Sequence, residues 1–488
     1  MNPQPRINFN AFTRTPLDLL VVGGGITGSG VARDAAMRGL RVGLVDRHDF
    51  AFGTSSRSSR LLHGGLRYLE QGRISLVREA SLEKRVLHRI APHLAAPLGF
   101  VFPTYAGGRP LWQLRVGVKL YDLLCGGRNF SPSRGLDRAE ARQAVPALDD
   151  RQLKGAVRYF DALTNDARLT LDTIRAAGRH GAMAANYTRL IDAQRSGSGW
   201  KCQFEDVLTG QIGAVQARTV VNATGPWAQA IPHSQVRLRL TKGIHVVVER
   251  ARLPTREAVV ITEGKRILFI IPWGERLIIG TTDTDYRGAP EAVGVDQADI
   301  DYVLRTVNRF FPSVAFTPAD VISSWAGLRP LIASPDGSPS DISRGHQIKM
   351  PEPGWWDVAG GKLTTYRLMA EQTVDQIVRH LNRPGAPSRT AVEPLLPESE
   401  TRFSGILPPP FTREAVAHFV NHEWAVSLAD VMIRRSGWHY YHADAAQKAQ
   451  QVAAWMADLA GWSPDRRAAE LAAYARTADV GALQPARS

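Results

Sequence analysis

The first apolar run is short and unbroken. Residues 18–22 (DLLVV) read as a buried strand, because a strand covered on both faces shows no alternation of apolar and polar positions. Gly23-Gly24-Gly25 then turns the chain, and residues 26–38 have helical character up to Gly39, a residue suited to a left-handed C-terminal cap. A second strand follows over 41–46, giving a strand–helix–strand unit of about 30 residues, the length parallel pairing requires. Leu82, Val86 and Ile90 recur at helical spacing within 74–90, while 111–124 (LWQLRVGVKLYDLL) is apolar and aromatic with Arg115 and Lys119 interspersed. The period then changes. Residues 244–249, 258–262, 267–271 and 276–280 are β-branched runs with short breaks, predicting a mainly antiparallel sheet. Over 355–370 a strand, a glycine turn and a helix return, and beyond a proline-bearing linker the pattern is helical from Thr412 onward.

Gly23-x-Gly25-x-x-Gly28 falls between the first strand and its helix. Gly23 permits the tight turn, Gly25 lets the backbone reach a pyrophosphate, and Gly28 allows close packing of helix on strand. Ile26 and Thr27 open that helix, whose free N–H groups and positive dipole end favour phosphate. Asp46, 23 positions beyond Gly23 and followed by Arg47, stands where a carboxylate accepts hydrogen bonds from ribose hydroxyls. The motif alone does not choose between NAD and FAD, but three later features favour FAD. One is a strand ending in Ala223-Thr224-Gly225. Another is Gly360-Gly361-Lys362-Leu363-Thr364-Thr365 between a strand and a helix. The third is Thr54-Ser55-Ser56, hydroxyls able to bond a pyrophosphate or the flavin edge, with a simple helix cap as the competing reading.

At 488 residues and about 150 residues per domain, roughly three units are expected. The 60 Lys and Arg against 46 Asp and Glu leave a charge of +14, which favours anionic partners. Cys125 and Cys202 have unrelated surroundings, so no C-x-x-C motif or disulfide framework is available, in keeping with a reducing, cytoplasmic setting. No stretch approaches the roughly 18 apolar residues of a membrane helix, so membrane contact would be peripheral. Residues 111–124 are the segment for it, with Trp112 and Tyr121 at headgroup depth; a buried helix is the alternative. No basic run with interleaved aromatics points to nucleic acid.

Five blocks are more specific than the glycine fingerprint: 54–69 (TSSRSSRLLHGGLRYL), 221–227 (VNATGPW), 280–283 (GTTD), 327–331 (GLRPL) and 360–367 (GGKLTTYR). In order and over about 18–370, they resemble the aerobic, FAD-dependent glycerol-3-phosphate dehydrogenase family. The resemblance implies an α/β two-dinucleotide-binding-domain flavoprotein: a Rossmann-like, glycine-oxidase-like FAD domain (16–95, 150–235 and 345–382), an inserted, mainly antiparallel substrate sheet domain (96–149 and 236–344) and a shortened helical C-terminal domain (398–488). It places His63, Gly64 and Gly65 against the flavin, and Arg67, Tyr68, His245, Arg329, Arg344 and Lys362 around the substrate. Such a cationic set suits a phosphate dianion, because guanidinium groups offer paired donors to its oxygens.

The implied reaction oxidises C2 of glycerol 3-phosphate, with hydride passing to the flavin and electrons to a membrane quinone at the inner face of the cell membrane; a homodimer is also carried as an expectation. Arginine essentially never deprotonates, so Arg329 is expected to bind phosphate and stabilise charge, with Lys362 beside it. His245 is the expected proton acceptor and His63 the second candidate. Arg60 stands where the family usually has lysine, the tail is short, and no calcium loop is present, so no metal is expected. Three other readings remain: a flavin oxidase using dioxygen on glycerol phosphate or an amino acid, a non-catalytic flavoprotein scaffold, and a nicotinamide dehydrogenase, which lacks a second nucleotide half here.

Overall fold

The computed structural model describes residues 9–69, 71–127, 129–264, 266–333, 345–383 and 386–479, apart from the side chains of residues 10, 11, 67, 478 and 479. The chain opens with β1 (Leu17–Val22), α1 (Ile26–Met37) and β2 (Val42–Val45). Next come α2 (Ile74–Ile90), β3 (Ala96–Tyr105), α3 (Leu111–Leu124), β4 (Leu153–Leu163), α4 (Asp166–Arg179) and β5 (Ile212–Asn222). The antiparallel stretch comprises β6 (Leu238–Glu249), β7 (Ala258–Glu263), β8 (Arg266–Trp273), β9 (Arg276–Gly280) and β10 (Ser323–Ile332). The chain then returns through β11 (Trp355–Gly360) and α5 (Tyr366–His380) to the helices α6 (Arg413–His422), α7 (Ala445–Ala460) and α8 (Pro464–Asp479).

Two sheets carry the molecule. In the first, β11, β5, β1 and β2 lie side by side and parallel. Leu19 and Val21 pack with residues of α1 and α5, while Leu20 and Val22 meet Phe12, Trp200 and Phe204 on the opposite face. That double cover explains why 18–22 shows no alternation. Helix α1 ends at Met37 with Arg38 as its C-cap, and Gly39 takes φ +79°, as the cap reading expected.

The second sheet is built around β6, which pairs antiparallel with both β9 and β10; among the described residues only its β7–β3 pairing is parallel. Strand β4, grouped by sequence with the nucleotide unit, hydrogen-bonds into this second sheet along β3 from Ala96↔Leu163 to Tyr105↔Leu153. The stub Leu61–Leu62 pairs with the end of β4. Helix α4 then re-enters the nucleotide unit, with Leu171 and Ile174 in the same core as Val31 and Ala35.

The C-terminal helices are fastened by buried charge. Both oxygens of Asp49 are met by Arg435, at 2.6 and 2.8 Å, with Arg434 on the same carboxylate. Glu423 takes both terminal nitrogens of Arg168, at 2.5 and 2.8 Å. Carboxylates are tolerated at such depth because guanidinium donors replace the lost water. Helix α3 buries Leu114, Val118 and Tyr121 yet exposes Trp112 (65%), Val116 (60%) and Leu123 (68%), so it has apolar side chains on two faces. No helix of the described residues is long and apolar enough to cross a membrane.

Candidate active site

One cavity of about 990 Å³ runs from the glycine turn of the first sheet to the face of the second. At the first-sheet end, Gly23 and Gly28 show the tight turn and the close packing that their positions predict. Gly23 has φ +109°, and a Cβ there would lie 2.6 Å from the Ala223 carbonyl oxygen. A Cβ at Gly28 would come 1.9 Å from the Gly23 oxygen, so any side chain would force α1 away from the turn. Gly25, Ile26 and Thr27 line the cavity at the start of α1, and Ser55 Oγ accepts from the Ile26 N–H at 2.9 Å.

Asp46 closes β2 with one oxygen on the Gly24 N–H (2.7 Å) and the other on the His48 N–H (2.9 Å). Burial nevertheless pushes its carboxyl up to about 7. Beside it, Arg47 pairs with Glu291, which also accepts from Trp227 Nε1 at 2.7 Å. Thr54 donates to the Leu328 carbonyl (2.7 Å) from the first turn of the short helix Thr54–Ser56, whose Ser56 is buried. On the far side, Ala223, Thr224 and Gly225 follow β5, and Gly361, Lys362, Leu363 and Thr364 link β11 to α5. Thr364 Oγ1 accepts from the His63 N–H (3.1 Å), fixing the His63-Gly64-Gly65 turn against the second glycine pair. The Gly64 N–H is met by Tyr121 Oη at 2.9 Å, reaching in from α3. Two glycine turns, a carboxylate at the end of β2 and the tight packing at Gly23 and Gly28 fit an extended dinucleotide.

At the other end the register of β6 sets the chemistry. Thr241, Gly243 and His245 point to one face, since side chains alternate along a strand. Arg329 sits on β10 opposite Thr241, and its guanidinium lies over Gly243, where a Cβ would be 2.3 Å from Nη2. Thr281 Oγ1 accepts from Nη2 at 2.9 Å and Asp283 from Nη1 at 3.3 Å. His245, only 2% exposed, stacks on Trp325 with centroids 5.1 Å apart, and its Nε2 meets Ser59 Oγ at 2.8 Å. Burial, then Arg329 and Arg60, push this imidazole down to about 3, so it stands neutral at ordinary pH. Lys362 Nζ lies 3.8 Å from the Tyr68 ring centroid, and that ring packs on Gly65.

His63, Tyr68, His245, Arg329 and Lys362 therefore line the same cavity. Arg344 and the Arg67 side chain lie outside the described residues. Ser59, Gly243 and Thr281 were not singled out from sequence. Gly243 had a signal, standing two places before His245 on the same strand face; Ser59 stands inside the block 54–69 with no role of its own assigned there. Among the described residues no group of three or more His, Cys, Asp or Glu side chains is placed to hold a metal ion.

A parallel sheet with a glycine turn, a carboxylate closing its second strand and a second glycine-opened helix against the same cleft defines a flavin-dependent oxidoreductase. The family model for FAD-dependent oxidoreductases matches residues 18–376, and that for the C-terminal domain of alpha-glycerophosphate oxidase matches 397–467. The glycerol-3-phosphate dehydrogenase of Mycobacterium leprae is 40% identical over 398 residues, covering 80% of this chain and 68% of that protein. The aerobic glycerol-3-phosphate dehydrogenase of Bacillus subtilis is 39% identical over 381 residues, covering 76% and 69%. The crystal structure of the glycerol-3-phosphate dehydrogenase from Bacillus halodurans, complexed with FAD, superposes with a TM-score of 0.80 at 28% identity over 98% of this chain and 97% of that one. This chain belongs to the aerobic, FAD-dependent glycerol-3-phosphate dehydrogenase family.

Proposed function

We propose that this protein oxidises sn-glycerol 3-phosphate to dihydroxyacetone phosphate with FAD and delivers the electrons to a membrane quinone. The observation that carries the reading is the Arg329 guanidinium laid over Gly243, next to His245, in the cavity that continues into the dinucleotide cradle. FAD bound there supplies the acceptor for the C2 hydride. Arg329 and Lys362 receive the phosphate and stabilise negative charge growing at the C2 oxygen. Arg67 and Arg344 join them as expected from the family. His245 is uncharged and takes the hydroxyl proton; Arg329, always protonated, does not. His63 holds the flavin-side turn.

An apolar acceptor is supported by the lobe of the cavity between Phe100, Phe102, Leu114, Val260, Ile267 and Phe269, which reaches the inner side of α3. The outer side of α3 carries the exposed Trp112, Val116 and Leu123, an apolar stripe suited to lying in a membrane interface at the inner face of the cell membrane. The match of 397–467 to a glycerophosphate-oxidase C-terminal model favours dioxygen as the second reading for the acceptor.

Anaerobic addition of glycerol 3-phosphate to the purified, yellow protein is expected to bleach its flavin bands. A flavin-loaded protein that stays oxidised rejects the donor, and a protein that cannot be loaded rejects the cofactor. Reoxidation by a short-chain quinone without peroxide supports the dehydrogenase; stoichiometric peroxide in air supports the oxidase.

A further inference from the structure

The ring nitrogens of His245 are both unavailable to a substrate hydroxyl. Nδ1 is buried and has no hydrogen-bond partner among the described residues. Nε2 is covered by Ser59 Oγ at 2.8 Å. A proton leaving the substrate must therefore pass through whatever stands on Nε2. That group is Ser59, which lines the cavity together with His245 and Arg329. Its hydroxyl makes no other hydrogen bond among the described residues; with the ring protonated at Nδ1, the Ser59 proton points at Nε2 and its lone pairs are left for the cavity.

We infer that Ser59 is a catalytic residue: its Oγ accepts the C2 hydroxyl proton of the substrate while its own proton moves to His245 Nε2. The inference rests on the alcohol oxidation proposed above. In that step the substrate O–H bond breaks and its proton goes to Ser59 Oγ. The Ser59 O–H bond breaks and its proton goes to Nε2, leaving serine unchanged and histidine protonated. The C2–H pair departs as hydride to oxidised flavin, so the alcohol is oxidised to the ketone by two electrons and the flavin is reduced by two.

The surroundings provide the switch that makes a neutral, buried imidazole useful as a base. Arg329 and Arg60 are the charges that oppose a proton on His245, after burial itself. Arg60 is held at the same aromatic group, its guanidinium 5.2 Å from the Trp325 ring on which His245 stacks. A phosphate dianion on Arg329 neutralises one of these two charges. His245 thus becomes a better proton acceptor only when a phosphorylated substrate is in place, and an unphosphorylated alcohol meets a poor one.

The test compares Ser59→Ala and Ser59→Thr with the parent, all FAD-loaded and full-length. Anaerobic stopped-flow reduction by glycerol 3-phosphate is expected to slow about 10²- to 10³-fold in Ser59→Ala, the range for a lost general-base path, with KM within about threefold. Ser59→Thr, which keeps a hydroxyl, is expected to regain at least a tenth of the parent rate. Nitrogen-15 spectra of the histidine rings provide a readout independent of turnover. The His245 Nε2 resonance, assigned by its absence in His245→Gln, is expected to be that of an unprotonated acceptor in the parent and to shift in Ser59→Ala. Reduction of Ser59→Ala within about threefold of the parent overturns the inference, as does a resonance that does not move. Failure of the parent itself to be reduced is a different result: it removes the substrate assignment and leaves the nitrogen-15 comparison to judge the Ser59–His245 pair.

Discussion

Gly243→Ala tests the proposed phosphate end of the site without replacing a charged residue. Gly243 lies within β6 and is not among the glycines with positive φ, so alanine meets no backbone penalty there. The added methyl would instead lie 2.3 Å from Arg329 Nη2, 2.6 Å from Nη1 and 2.5 Å from Thr281 Oγ1. Non-bonded atoms settle at about 3.5 Å, so the guanidinium must retreat by roughly 1.2 Å. It can do so, being the end of a flexible side chain, but it then leaves the position from which it would grip the phosphate. Losing one charge-assisted hydrogen bond costs about 1.5–3 kcal/mol, and at about 1.4 kcal/mol per tenfold this becomes a KM raised roughly 10- to 150-fold. Steady-state kinetics with glycerol 3-phosphate and a soluble electron acceptor would read it. Bound FAD and thermal stability are expected to stay near parental values, because nothing in the nucleotide cradle moves. A variant with KM within twofold of the parent would show that Arg329 does not hold the substrate from where it lies.

Further expectations can be measured directly. The folded chain refuses a proton at His245 until about pH 3, whereas the unfolded chain binds one near pH 6.5. Stability from this residue is therefore full above that unfolded value and is lost as pH falls. Between about pH 7.5 and 5 the loss is about 2 kcal/mol, read as the difference in denaturant unfolding between parent and His245→Gln. Equal pH slopes in the two proteins would refute it. Asp46→Ala removes the acceptor of the Gly24 and His48 N–H groups at the end of β2, and FAD release followed by flavin fluorescence is expected to show affinity weakened by about 10- to 100-fold. Glu423→Ala leaves Arg168 and Arg175 buried beside an absent carboxylate, and should cost about 3–5 kcal/mol in equilibrium unfolding; a change below about 1 kcal/mol would mean that water replaces the anion.

Local signals in the sequence were read correctly where one residue's chemistry allowed a single structural answer. Gly23 and Gly28 stand against backbone atoms that admit no side chain. The nucleotide end of the cleft was legible for that reason. Long-range pairing was less so. Strand β4 looks like any half-buried strand, and nothing within it reveals that its partners are β3 and the stub at Leu61–Leu62. Ser59 was invisible because its importance comes from a histidine 186 positions away. Helix α3 defied a choice between buried and interfacial because it is apolar on both sides.

The loop from Thr54 to Arg60 acts on both sheets at once. Thr54 bonds the Leu328 carbonyl, Trp325 Nε1 donates to the Ser58 carbonyl at 3.3 Å, and Ser59 meets His245, all toward the second sheet. The Ser58 N–H reaches back to Asp166 at the start of α4 (2.8 Å). A hinge that swung the sheets apart would have to tear this rivet, and with it the histidine's own partner. Opening of the cleft along this line therefore carries the loss of these four hydrogen bonds together.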